Sequence, residues 1–148
     1  MTTFKQLALS DIENIVLMMR DFYAIDNYPM DIEVSKTLFT EFINDENLGR
    51  AWLIYEEKEI IGYVILTFIF SFEYKGKIAF LDELYLSEKT RGKGIGKKAM
   101  DFIQAQAKDL KLKVIYLEIE NHNENAQNLY LKSNFIVHNR KLMKYSTD

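Results

Sequence analysis

Arg91-Gly92-Lys93-Gly94-Ile95-Gly96-Lys97-Lys98 follows one apolar run and opens an amphipathic one, and the rest of the chain is read outward from it. Glycines let a backbone turn its N–H groups inward and let a ligand approach the main chain. A helix beginning at such a loop adds partial positive charge at its N-terminus. Both effects favour an anion, so the stretch reads as a phosphate seat.

Three phosphate signatures compete for it. The P-loop pattern G-x-x-x-x-G-K-[ST] fails, because Arg91 stands where its first glycine belongs and Lys98 where its hydroxyl belongs. The dinucleotide fingerprint fits Gly94 to Ala99 by letter, with Glu118 about 20 residues on. It fails by context, since residues 87–93 separate the preceding strand from Gly94 and hairpin-like strands come before it. The third pattern, [QR]-x-x-G-x-[GA], is met by Arg91, Gly94 and Gly96. It is the coenzyme A pyrophosphate motif of the GNAT-type N-acetyltransferases, which this stretch resembles.

Composition narrows the alternatives. The 148 residues are 48% hydrophobic, enough for one domain over residues 1–148 with a real core. There is no cysteine and there are only two histidines, so neither a thiolate nucleophile nor a metal site is expected. No apolar run reaches the roughly 18 residues of a membrane helix and no signal pattern opens the chain, so a soluble cytoplasmic protein without a membrane partner is expected. Charge is divided: residues 1–88 hold 7 Lys+Arg against 16 Asp+Glu, whereas residues 89–148 hold 12 against 6. A basic half around the glycine loop suits a polyanionic cofactor and an acidic half suits a cationic amine; nucleic acid is not expected.

Hydrophobic periodicity supplies the elements. Residues 3–7 form a short strand, and Ser10-Asp11-Ile12-Glu13 matches a capping box opening a helix whose apolar face carries Ile12, Ile15, Val16, Met19, Phe22 and Tyr23. Asp26-Asn27-Tyr28-Pro29 stops it, and a second helix runs from 31 or 32 to 42 through Val34, Leu38, Phe39 and Phe42. Residues 51–55 and 60–71 make a hairpin, with Gly62 marking a bulge, and 77–86 the next strand. Residues 94–110 are helical, 114–120 a strand reached by a parallel crossover, 126–133 a short helix, and 135–138 and 141–145 two last strands.

This order is the order of the GNAT family, so the resemblance spans nearly the whole chain. A second motif agrees: Asn123, Ala126, Leu129, Tyr130 and Phe135 look like the family's N-x-x-A-x-x-L-Y with its terminal G-F, except that Asn134 replaces the glycine. Asparagine tolerates the left-handed backbone, so the turn is expected to survive. The fold implied is α/β of an α+β-like kind: a mixed, mostly antiparallel sheet of about seven strands, splayed between the fourth and fifth, flanked by about four helices.

The activity implied is transfer of an acetyl group from acetyl-CoA to a primary amine by direct attack, without a metal. A small cationic amine is the expected acceptor; a noncatalytic acyl-CoA-binding sensor and a protein N-terminal or lysine acetyltransferase are the alternatives. The resemblance assigns Leu84, Tyr85 and Leu86 to the pantetheine amides and Arg91, Gly92, Lys93, Gly94, Ile95, Gly96 and Lys97 to the pyrophosphate. Asn123, Ala126, Tyr130 and Lys132 complete the coenzyme set, Lys132 as its weakest member, for which a solvated lysine is the first reading. Tyr130 is the implied acid for the departing thiolate. Glu83 and Glu118 are the two candidate bases, each a carboxylate in an otherwise apolar strand; alternation makes one of Asp82 and Glu83 face the reaction. The acceptor site implied is residues 22–31 with Glu83, in which Phe22, Tyr23, Asp26, Tyr28 and Asp31 combine ring faces with carboxylates. Monomer and homodimer both remain open.

Overall fold

The computed structural model describes residues 1–148, which divide into two compact units, Met1–Glu118 and Ile119–Asp148. The first unit holds one open five-stranded sheet in the order β1 (Thr2–Gln6), β2 (Gly49–Glu56), β3 (Glu59–Ser71), β4 (Gly76–Leu86), β5 (Ile115–Tyr116). Its helices are α1 (Ile12–Ile25), α2 (Ile32–Asn44) and α3 (Ile95–Asp109). The pairs from β1 to β4 are antiparallel, and β4 with β5 is parallel.

Alternation along the strands sorts the core into two faces. Ala51, Leu53, Tyr63, Ile65 and Tyr85 are buried against Ile15, Val16 and Met19 of α1 and Phe39 of α2. Trp52 faces the other way and meets the Phe102 ring of α3 edge-on at 5.2 Å, while Phe4 stacks on Phe102 at 4.1 Å. Each large apolar side chain fully buried in this way is worth about 1.5–3 kcal/mol.

Local chemistry sets the ends. Asp31 caps α2 by accepting the Val34 N–H at 3.0 Å. The capping box expected from Ser10 is not formed. A single 3-10 turn, Leu9–Asp11, precedes α1 instead, and Asp11 accepts the Ala8 N–H at 2.9 Å while pairing with Lys5 at 2.8 Å. A buried carboxylate with a cation and an amide at hand outcompetes a serine. Helix α1 stops with Asn27 at φ 58, where Tyr28 N–H bonds to Tyr23 O at 2.9 Å and Asn27 N–H to Ala24 O at 3.3 Å. This is the Schellman arrangement of a left-handed residue just past a helix. Lys111, at φ 59, closes α3 in the same way.

Two bulges interrupt the ladders. Ile54 pairs with Gly62 but Tyr55 with Ile60, leaving Ile61 as the extra residue. A side chain at Gly62 would bring its Cβ to 2.1 Å from the Tyr85 carbonyl oxygen, so glycine is required there by close approach. On β4, Leu81 pairs with Leu66 and Glu83 with Ile65, leaving Asp82 extra.

The second unit contains α4 (Glu124–Lys132) and an extended tail. Asn123 caps α4 by accepting the Ala126 N–H at 3.0 Å. Asn134, at φ 72, follows the helix; Phe135 N–H reaches Tyr130 O at 3.0 Å, and the Phe135 and Tyr130 rings meet edge to face at 5.8 Å. The Leu129-Tyr130 to Asn134-Phe135 spacing is therefore a Schellman cap with its apolar contact.

The mixed, mostly antiparallel sheet and four helices agree with expectation, but the strands number five, not about seven. Residues 135–138 and 141–145 carry strand-like sequence without a ladder, and Ile136, Val137, Leu142, Met143 and Tyr145 stay exposed. The strand expected over 114–120 is reduced to Ile115 and Tyr116, paired with Ala79 and Phe80. Beyond that point β4 runs on to Leu86 with a strand neighbour on the β3 side alone. No helix is long and apolar enough to cross a membrane.

Candidate active site

A cavity of about 370 Å³ lies between the α1–α2 connection, α2, and the middle of β3 and β4. Asp82 and Glu83 both line it. Strict alternation would send them to opposite faces; the bulge at Asp82 overrides it and turns both carboxylates to one side.

Glu83 is the most constrained of the cavity's acids. The Tyr23 hydroxyl donates to its Oε2 at 2.6 Å and the Tyr63 hydroxyl to its Oε1 at 2.7 Å. Burial pushes the Glu83 pKa above the usual carboxylate value; the two phenols oppose that rise and neighbouring Asp82 adds to it. Asp82 is more open, and partial desolvation raises it too. Burial and the Glu83 charge hold both phenols protonated well above the ordinary tyrosine range. The arrangement is a carboxylate held by two donors against a cavity wall, able to accept a proton from a bound cation.

Of the other residues expected at an acceptor site, Tyr23 and Asp31 line the cavity. Phe22 instead packs among Tyr23, Tyr63 and Tyr85. Asp26 is the last residue before the left-handed Asn27, and Tyr28 is half exposed; neither is in the cavity wall. Glu118 does not occupy an apolar strand as expected: β5 ends at Tyr116, and Glu118 is exposed and outside the wall.

Sequence reasoning missed Tyr63, Ser35 and Thr67, which also line or complete this site. A tyrosine inside the apolar run 63–70 was the available signal, because a buried phenol needs a polar partner. Val34 and Leu38 line the cavity and remain 54% and 56% exposed, so they form its rim and not the core face their spacing implied.

The glycine loop follows a 3-10 turn, Glu88–Thr90, in which the Thr90 hydroxyl donates to Ser87 O at 2.7 Å. Gly92 and Gly94 have φ 80 and 76, and a Cβ at either would meet nothing within 4 Å. Glycine is favoured there by backbone angle, with open space above it. No side chain caps α3, so the amides of its first turn are open to an anion. Arg91 and Lys93 are exposed beside them, Arg91 donating through Nε to Leu86 O at 3.3 Å, and Lys97 pairs with Asp101. In the second unit Asn123 and Ala126 form the α4 cap, Lys132 is exposed in its last turn, and Tyr130 is partly buried, desolvation raising its phenol pKa.

Residues 16–135 match the acetyltransferase (GNAT) family. The chain belongs to that family. It is 26% identical over 118 residues to the D-amino-acid N-acetyltransferase HPA3 of Saccharomyces cerevisiae, covering 78% of this chain and 73% of that protein. An integron cassette protein from the mobile metagenome of Cole Harbour Salt Marsh superposes with a TM-score of 0.88 at 26% identity, over 98% of this chain and 90% of that one. A predicted acetyltransferase with acetyl-CoA from Clostridium acetobutylicum superposes at 0.82 with 19% identity, over 98% and 96%.

Proposed function

We propose that this chain, over residues 1–148 as one acetyltransferase domain, is an N-acetyltransferase using acetyl-CoA as co-substrate and a small cationic primary amine as acceptor. The observation that carries the reading is Glu83, held between Tyr23 and Tyr63 on the wall of a cavity of small-ligand size. Family membership supplies the reaction class.

The roles follow from charge and geometry. Asp82 and Glu83 attract the ammonium form of the acceptor, with Tyr23 and Asp31 beside them. Glu83 accepts the ammonium proton, directly or through water, and the freed nitrogen attacks the thioester carbonyl carbon. The backbone of Leu84, Tyr85 and Leu86, which has no strand neighbour on the β5 side beyond Phe80, pairs with the pantetheine amides and steadies the carbonyl oxygen as negative charge develops. The glycine loop from Arg91 to Lys97 takes the pyrophosphate. The C–S bond then breaks as the nitrogen loses its second proton; Tyr130, whose phenol is held protonated by desolvation, gives its proton to the thiolate and is reprotonated through water by the proton leaving the nitrogen, so amide and free thiol form with the first proton on Glu83. Its role rests on the motif it shares with the family.

The test is a thermal-shift titration with acetyl-CoA followed by thiol release across a panel of primary amines. Stabilisation with release for at least one amine is expected. Tight coenzyme binding with no acceptor across a broad panel would replace this reading with a noncatalytic sensor.

A further inference from the structure

The acceptor can be narrowed further, on the acetyltransferase reading above. We infer that the acceptor is a primary amine with an apolar body and no carboxylate of its own. The cavity wall is of two chemical kinds. Met19 of α1, Met30 of the connection and Val34, Leu38, Phe39 and Phe42 of α2 supply apolar wall, while Asp82 and Glu83 lie on β4 and Asp31 on the connection. No lysine, arginine or histidine lines it.

That absence of cationic lining decides against amino acids. In an α-amino acid the carboxylate is one carbon from the nitrogen, so an amine delivered to Glu83 brings a second negative charge beside Glu83 and Asp82 with no cation to meet it. Like charges at such separations repel, and a carboxylate desolvated without a partner is costly. Polyamines and polyhydroxylated amines fit less well for the complementary reason: beyond Ser35 and Thr67, their further polar groups would face methionine, leucine and phenylalanine side chains that offer no hydrogen bond. An amine on an apolar body satisfies both kinds of wall. Val34 and Leu38, 54% and 56% exposed on the rim, are the side chains it would cover. The chain is thus expected to differ in acceptor from its yeast relative, whose name specifies D-amino acids.

The test compares phenethylamine with D- and L-phenylalanine and with spermidine, by calorimetric binding to the protein saturated with coenzyme A and by thiol release from acetyl-CoA. Phenethylamine is expected to bind at least about tenfold more tightly than either phenylalanine or spermidine. Leu38→Arg, which puts a guanidinium on the rim, is expected to narrow the amine-to-amino-acid ratio by strengthening phenylalanine binding. Equal or tighter binding of phenylalanine or spermidine, or no binding of phenethylamine, overturns the inference, as does a free peptide N-terminus outcompeting phenethylamine in the same assay. If phenethylamine is preferred in binding yet no amine releases thiol, the acceptor chemistry stands and the enzymatic reading falls.

Discussion

Tyr63 and Glu83 are diagonal neighbours on one face of the β3–β4 pair, and the Tyr63 hydroxyl donates to Glu83 Oε1 at 2.7 Å. Directly opposite partners are Tyr63 with Tyr85 and Ile65 with Glu83, so the contact spans a diagonal that only long side chains bridge. It places a fully buried phenol under a partly buried carboxylate and leaves Glu83 facing the cavity.

Tyr63→Phe keeps the ring and removes that donor. Its hydrogen bond lowers the Glu83 pKa, so its loss should raise it further and move the acidic limb of the rate-versus-pH profile to higher pH. A stability cost of about 1–2 kcal/mol is expected in urea unfolding. An acidic limb unmoved relative to wild type would separate Tyr63 from the reaction.

Glu83→Gln tests both catalysis and linkage. As base, Glu83 should take the acidic limb with it, and raising the pH should recover much of the rate by deprotonating the amine in solution. Glu118→Gln, at an exposed site outside the cavity, should lose less. The pattern reversed, with the limb lost at Glu118, would transfer the assignment. For stability, the folded pKa of Glu83 is raised, so its favourable contribution is complete below the unfolded value of about 4.3 and disappears as pH rises through the folded value. The stability of wild type minus that of Glu83→Gln should therefore fall across that window, measured by denaturant melts at successive pH values.

Gly94→Glu sets a side chain and a negative charge where the first amides of α3 are open. Loss of acetyl-CoA stabilisation in a thermal-shift assay is expected. Gly94→Ala is the control for strain: at φ 76 with nothing within 4 Å, it should cost about 1–2 kcal/mol from backbone angle alone. Wild-type coenzyme affinity in Gly94→Glu would remove the loop from the binding site.

Tyr130→Phe preserves the ring packed on Phe135 and so the helix end. Coenzyme binding should be retained while transfer slows by roughly 10²- to 10⁴-fold. Unchanged turnover would make Tyr130 a packing residue only.

Lys111→Gly relieves a left-handed backbone at φ 59 just past α3. Relief of about 1–2 kcal/mol is partly offset by the freer unfolded chain, for a net gain of about 0.5–1 kcal/mol in thermal unfolding. A loss would show that the lysine side chain contributes more than its angle costs.

The local patterns in this sequence determined much. Period-2 and period-3.6 spacing located the four helices and most of the four antiparallel strands, because burial on one face is recorded residue by residue along an element. Gly92 and Gly94 announced a loop of left-handed backbone because glycine adopts that angle most readily, and the motif ending at Asn134-Phe135 proved to be a helix cap written in consecutive residues. What lay beyond reach depended on partners distant in sequence. The extra residue at Asp82 exists only relative to Leu66 and Ile65 of the neighbouring strand, and it alone brings Asp82 and Glu83 to the same cavity. Tyr63 gains its role from a carboxylate 20 residues away. Residues 135–145 have the side-chain pattern of strands but no ladder, since pattern fixes which face is apolar and only a neighbouring backbone makes a strand.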